Sequence, residues 1–303
     1  YYVIKRAGKV TWTRLGKTES EMYTKLAEIK SDHINKNTMA EFFNKYKKEV
    51  LPSKADTTQK YYISQLDRLN KVFGHMSPTD ITTVIVYEYI DIRAKTALVQ
   101  ANREKALLST VFSYCIRWGA ITANPCLNVM SFKEKTRDRY IEDWEYKAVY
   151  DSAKPLIQVT MEIAVITGMR QRDILNLRLS DLHDNGLHIT TEKTGTKQII
   201  KWTPDLKAVV KQAKALRKVT SSIYLICNQK GVPYTSSGFK SMWQKTMNKA
   251  LKEELIQERF TFRDLRPKAA SDHDDGTKLL AHTDAKTTKK YYLRKAAVVT
   301  PSR

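Results

Sequence analysis

The sequence contains no long apolar run. None of its 303 residues lie in a stretch approaching the roughly 20 consecutive apolar residues that a bilayer-spanning helix needs. The first residues, YYVIKRAGKVTW, contain no uninterrupted apolar segment ahead of a cleavage site. A membrane-spanning chain is therefore not expected, and the reading is of a cytoplasmic protein. Cysteine is also scarce. Cys115, Cys126 and Cys227 are too few and too scattered for a disulfide framework, and none is placed with a second cysteine and a histidine pair at zinc-ligand spacing. They are expected to behave as small buried or half-buried hydrophobes. Internal repeats and low-complexity segments are absent. Acidic residues are in short supply as well: 32 Asp and Glu face 53 Lys and Arg, a net charge of +21. A field of that sign draws polyanions, of which nucleic acid is the leading class and an anionic membrane surface the rival.

With 42% hydrophobic residues, the chain can bury a sizeable core, and its length suggests about two domains. Residues 1–35 alternate around Gly8 and Gly16, as a β-hairpin does, ahead of a helix near Glu19–Ile29. Residues 36–130 carry four apolar stripes at three-to-four spacing: MAEFFNKYKKEVL, TTQKYYISQLDRLNKVFG, SPTDITTVIVYEYIDIRAK and VQANREKALLSTVFSYCIRWG. Breaks fall at Pro52, Gly74 and Gly119, the pattern of a compact helical bundle. The aperiodic stretch ITANPCLNVMSFKEKTRDRY reads as a linker, with the boundary near residues 128–138. In residues 131–303, WEYKAVYDSA, PLIQVTMEIAVITG, RQRDILNLRLSDL, DLKAVVKQAKALR and SSGFKSMWQKTMNKALKEELI read as helices. GLHITTEKTGTKQIIKWT reads as a β-hairpin turning at Thr194-Gly195. The expected class is mainly α with small β elements (α+β).

Several short motifs carry chemistry. In ITGMRQRD, Arg170 follows Gly168 at a break between apolar helices, where a long cation can turn into a cleft. Lys193 sits beside a tight turn in TEKTGTK. In TFRDLRPKAASD, Arg263 and Arg266 are three apart and share a helical face. Pro267 is tolerated only in a first turn, which sets both arginines at the positive end of a helix, a setting that suits phosphate. His282 precedes an N-cap at Thr283 or Asp284, and Tyr291 and Tyr292 follow on a last helix. Each motif alone has a bland reading: a surface guanidinium, a solvated lysine, a structural histidine, core-facing aromatics.

Taken in order, these motifs resemble the catalytic set of the tyrosine recombinases, the phage integrase family, over roughly Asp138 to Arg303. Residues 38–130 are similar to that family's helical core-binding domain, and residues 131–303 to its mixed α/β catalytic domain. The resemblance implies DNA strand cleavage and rejoining through a 3′-phosphotyrosyl intermediate, with no metal ion, nucleotide or other cofactor. It implies Arg170 and Arg266 as phosphate clamps, Lys193 as general acid toward the 5′ oxygen, and His282 as a donor to the phosphate. Asp173 would orient the cations. The nucleophile would be Tyr292 or Tyr291; Tyr292 is favoured because the Leu-Arg after it and the tail ending VVTPSR are similar to a subgroup of phage and prophage integrases.

Two features depart from the family pattern. Arg263 stands where the family most often has histidine, and arginine cannot accept a proton near neutral pH, so it is read as an added phosphate donor. The interval from Arg266 to His282 is several residues shorter than usual. The implied partner is double-stranded DNA, clamped between two basic domains, with Lys60, Arg68, Lys71, Arg103 and Lys105 as candidate contacts and residues 1–35 as a candidate arm-site element. Self-association is implied too, a dimer on one site and a tetramer on two through the AAVVTPSR tail, with accessory DNA-bending proteins possible partners. A topoisomerase-like strand transferase and a DNA-binding protein without turnover are the alternatives.

Overall fold

The computed structural model describes residues 2–6, 9–15, 18, 19, 21–23, 25, 37–281 and 284–295. His282, most of the helix expected near Glu19–Ile29, and the tail from residue 296 lie outside them. The chain divides into two compact units, Tyr1–Lys135 and Thr136–Arg303. Among the described residues no helix is long and apolar enough to cross a membrane.

In the first unit, β1 (Tyr2–Arg6) pairs antiparallel with β2 (Lys9–Thr13), Tyr2 opposite Thr13. The bundle follows. In α1 (Met39–Glu49), Met39, Phe42, Phe43 and Tyr46 are buried, the i, i+3, i+4, i+7 stripe the sequence shows. In α2 (Asp56–Phe73) the buried positions are Gln65, Leu66, Leu69 and Phe73. The third and fourth stripes run together as α3 (Thr83–Arg117), broken at Ala97, where φ −157° and ψ 71° leave the helical region. Each large apolar side chain in this core contributes about 1.5–3 kcal/mol of burial. Across the break, Arg93 and Tyr89 on one side reach Glu104 on the other, a fully buried carboxylate that Arg68 of α2 also pairs with. Cys115 and Cys126 are buried in this core, and Cys227, in the second unit, is half-buried.

The second unit is organised around α5 (Pro155–Thr167), an apolar helix begun by Pro155 at its first turn and ended by Gly168, whose φ of 64° is left-handed. It packs against α7 (Pro204–Ala215) and α9 (Leu265–Asp272), while α4 (Asp143–Ser152) packs against α8 (Ser236–Lys252). The expected helix through RQRDILNLRLSDL is cut to α6 (Gln171–Leu175). The chain leaves it because the Leu177 carbonyl accepts from the Leu225 amide at 2.8 Å and the Leu179 amide donates to the Ile223 carbonyl at 2.8 Å. A short strand that alternation did not show, β3 (Leu182–His183), then lies beside β4 (Gly186–Thr190) and β5 (Lys197–Ile200) in an antiparallel sheet ordered β3-β4-β5. The β4-β5 turn is wider than expected and spans residues 191–196. Thr191, Thr194 and Thr196 satisfy its polar groups through hydroxyl contacts of 2.7 and 2.9 Å, and Gly195 supplies the positive φ. The last elements are α10 (Gly276–Leu279) and α11 (Ala285–Tyr291).

Candidate active site

Gly168 turns the chain at the end of α5, so that Arg170, half-buried in extended conformation, becomes the N-cap of α6. The Gly168 carbonyl accepts from Nη1 of Arg266 at 2.5 Å, and the Leu280 carbonyl accepts from Nη2 at 2.9 Å. Arg266 is thus set in the second unit's core, only 6% exposed, near the start of α9, with Pro267 tolerated in the first turn. Burial, with Arg170 as a like-charged neighbour, pushes its ionisation down from the ordinary arginine value to about 10; Tyr292 and Asp173 act the other way. The short interval after Arg266 is bridged by a close crossing: a Cβ on Gly276 would stand 2.4 Å from the Ala270 carbonyl oxygen. That crossing lets α10 return Leu280 to Arg266.

Tyr292 follows α11, whose N-cap is Asp284, accepting from the Lys286 amide at 2.8 Å. A side-chain hydrogen bond joins Tyr292 to Arg266, and the guanidinium carbon stands 5.6 Å from the centre of its ring. The adjacent Tyr291 is exposed, with the Lys290 ammonium 5.2 Å from its ring centre. The helix ends at Tyr291, and Tyr292, at φ −121° and ψ −29°, leaves the helical path, so the two neighbouring phenols meet different surroundings.

Asp173, in the first turn of α6, accepts from the Glu192 amide at 3.1 Å. Glu192 also pairs with Arg172 at 2.6 Å. These contacts tether the β4-β5 tip, where Lys193 is exposed, to the helix that follows Arg170. Arg263 precedes α9 in a 3-10 turn (Phe262–Asp264), is exposed, and lines a cavity of about 220 Å³ with Gln171, Lys240 and Arg259. The three-residue spacing therefore does not give Arg263 and Arg266 the same surroundings. His282 falls outside the described residues.

Sequence reasoning gave no place to Asp264, Lys268 or Ser271, and used Arg294 only as part of the Leu-Arg that follows Tyr292. Asp264 accepts from the Thr261 amide and hydroxyl at 2.8 and 2.7 Å, a capping box legible as T-x-x-D. Lys268, 3% exposed, is held by Asp143, by Asp272 at 3.1 Å, and by the Tyr140 hydroxyl and Ile141 carbonyl at 3.1 Å. No local pattern announces a buried lysine.

A phage integrase family model matches residues 139–297, just over half of the chain. The chain belongs to the phage integrase family. The integrase of Escherichia phage HK022 is 28% identical over 195 residues, 62% of this chain and 55% of that protein. The chain spans about half the length of the curated phage integrases it matches. A lambda integrase dimer bound to a COC′ core site has a similar fold, with a TM-score of 0.75 and 23% identity over 91% of this chain and 83% of that one. So does a lambda integrase tetramer bound to a Holliday junction, with a TM-score of 0.74 and 20% identity over 99% and 95%. The family match takes in Arg170, Asp173, Lys193, Arg263, Arg266 and Tyr292.

Of the candidate DNA contacts in the first unit, Lys60 and Lys71 are exposed on α2. The other three have protein partners: Arg68 pairs with Glu104, Arg103 with Glu134 at 3.1 Å, and Lys105 donates to the Val129 carbonyl at 2.9 Å.

Proposed function

We propose that this phage integrase family member is a site-specific DNA recombinase that cleaves and rejoins strands through a 3′-phosphotyrosyl intermediate. The observation that carries the reading is Tyr292 hydrogen-bonded to a buried Arg266 whose charged neighbour is Arg170. A phosphodiester resists nucleophiles because it is anionic, and its non-bridging oxygens gain charge in the transition state. Two fixed guanidiniums where that charge develops lower the barrier, each by about 3–4 kcal/mol. The Tyr292 oxygen attacks phosphorus and loses its proton. The bond to the 5′ oxygen breaks, and that oxygen leaves protonated by Lys193 at the exposed tip of the hairpin. Asp173 holds the hairpin tip and balances the cations; Arg263 and His282 add donors to the phosphate. The phosphotyrosyl bond conserves the energy of the one broken, so a 5′ hydroxyl reverses the step with no metal or nucleotide.

The substrate is double-stranded DNA. The excess of positive charge supports it, and so do the relatives, which are integrases, one solved as a dimer on a core site and one as a tetramer on a Holliday junction. By the same reasoning this chain acts as a dimer on one site and a tetramer on two, in the cytoplasm of a bacterial host. Residues 36–130 serve as the core-binding domain, residues 131–303 as the catalytic domain and residues 1–35 as an arm-site element.

The test uses nicked suicide duplexes built from sequences the protein selects out of a random pool. A covalent adduct mapping to Tyr292, and joining between two different duplexes, are expected. An adduct with religation only to the original strand would assign a topoisomerase-like activity instead. Binding with no adduct would leave a DNA-binding protein.

A further inference from the structure

The residues just after Tyr292 are bolted to the segment that carries Arg266. The Ser271 hydroxyl, on α9, donates to the Tyr292 carbonyl at 3.0 Å and accepts from the Arg294 amide at 2.8 Å. The Arg294 guanidinium reaches Asp264 Oδ1 at 2.9 Å and the Arg139 carbonyl at 3.2 Å. This ion pair is enclosed, the side chains 12% and 4% exposed. Asp264 lies two residues before Arg266 and Ser271 five after it, so both anchors of the tyrosine segment land on either side of the guanidinium that the phenol contacts.

A nucleophile and a cation mounted on separate elements drift independently, and about 1 Å of misplacement can cost about a hundredfold in rate. Here one mount carries both. We propose that Arg294, with Ser271 and Asp264, is a latch that positions Tyr292 in cis against Arg266 for attack on the phosphate. This rests on the reading of Tyr292 as the nucleophile. Arg294 touches neither the phenol nor a reacting atom; it acts through the backbone of residues 291–294, where its Nε also donates to the Tyr291 carbonyl at 3.3 Å. Removing Arg294 leaves Asp264 paired with Arg137 at 3.0 Å, so the carboxylate is not stranded and the variant is expected to fold.

The experiment is single-turnover cleavage of the nicked duplex by wild type, Arg294→Ala, Arg294→Lys and Ser271→Ala, each with its DNA affinity and final adduct amplitude. Arg294→Ala and Ser271→Ala are expected to cut the cleavage rate constant about 10- to 100-fold, with DNA affinity and amplitude near wild type. Arg294→Lys, which keeps the charge on Asp264, is expected to recover part of the rate. Misfolding would lower amplitude and affinity and leave the rate constant of the surviving fraction unchanged, and that result overturns the latch. So does a wild-type rate constant in both Arg294→Ala and Ser271→Ala. If wild type itself forms no adduct at Tyr292, the parent reading fails and the latch with it.

Discussion

Arg266 is buried with the guanidinium of Arg170 as its charged neighbour, and burial together with that neighbour pushes its ionisation down to about 10. A depressed value for a base means the folded state holds the proton less well than the unfolded one. Stability therefore rises as pH climbs above about 10 toward the ordinary arginine value, and at neutral pH the charged pair costs folding energy. A bound anion offsets that cost. Sulfate or vanadate is expected to raise the melting temperature relative to chloride at equal ionic strength, through a stabilisation of up to about 2.7 kcal/mol at a hundred times its dissociation constant. Arg170→Ala should abolish the anion-specific part, which differential scanning fluorimetry reads directly.

The divergence of the two adjacent phenols makes a sharp prediction. Tyr292→Phe is expected to abolish the covalent DNA adduct, whereas Tyr291→Phe, altering an exposed ring, should retain it within about threefold. Denaturing gels of the nicked-duplex reaction separate the outcomes, and loss of the adduct only in Tyr291→Phe would reverse the assignment.

Glu104 secures the broken helix of the first unit. Burial alone would raise its ionisation, but hydrogen bonds from Tyr89, Arg93 and Arg68 hold the carboxyl below the ordinary glutamate value. A carboxyl depressed in the folded state adds stability above its unfolded value of about 4.3, and that stability is lost as pH falls through the lower folded value. Glu104→Gln is expected to cost about 1–3 kcal/mol at pH 7, since it removes the counter-charge of the partly exposed Arg68 and Arg93 and turns a buried amide group toward them. It should also flatten the acid limb of stability, as urea unfolding at pH 7 and below 4 would show.

The close crossing of α9 and α10 predicts that Gly276→Ala destabilises the second unit. The clash is with the backbone oxygen of Ala270, which no rotamer change relieves. A cost of about 1–3 kcal/mol is expected, with a slower cleavage rate as Leu280 shifts away from Arg266. Denaturant midpoints and single-turnover rates measure the two effects separately.

On the first unit, exposed and engaged cations should respond differently. Lys60→Ala and Lys71→Ala are expected to weaken DNA binding uniformly across sequences, each reducing the slope of log K against log salt by about 0.9 if it meets one phosphate. Arg68→Ala should instead lower stability, because its partner is the buried Glu104. Salt titrations of binding alongside thermal melts distinguish these cases.

Local pattern determined a good deal of this protein. The spacing of Met39, Phe42, Phe43 and Tyr46, or the apolar run ended by Gly168, reports a helix because side-chain direction repeats every 3.6 residues whatever lies around it. The order of Arg170, Lys193, Arg263, Arg266, His282 and the paired tyrosines was enough to bring the family into view. What alternation could not show was the shortening of α6, since Leu177 and Leu179 are drawn off by the distant residues 223–225. Nor could it show that Arg68 has a buried partner in Glu104, or that a lysine could be enclosed at position 268. Two phenols stood side by side in the sequence, with Tyr292 favoured on the resemblance of the Leu-Arg after it and of the tail, and the tertiary fold gave Tyr292 a guanidinium to meet and Tyr291 an exposed face. Hydrogen bonds and ion pairs between residues far apart in the chain leave no periodic trace. They arise only when the backbone carries their partners together, and that is where charge, burial and the placing of Tyr292 were decided.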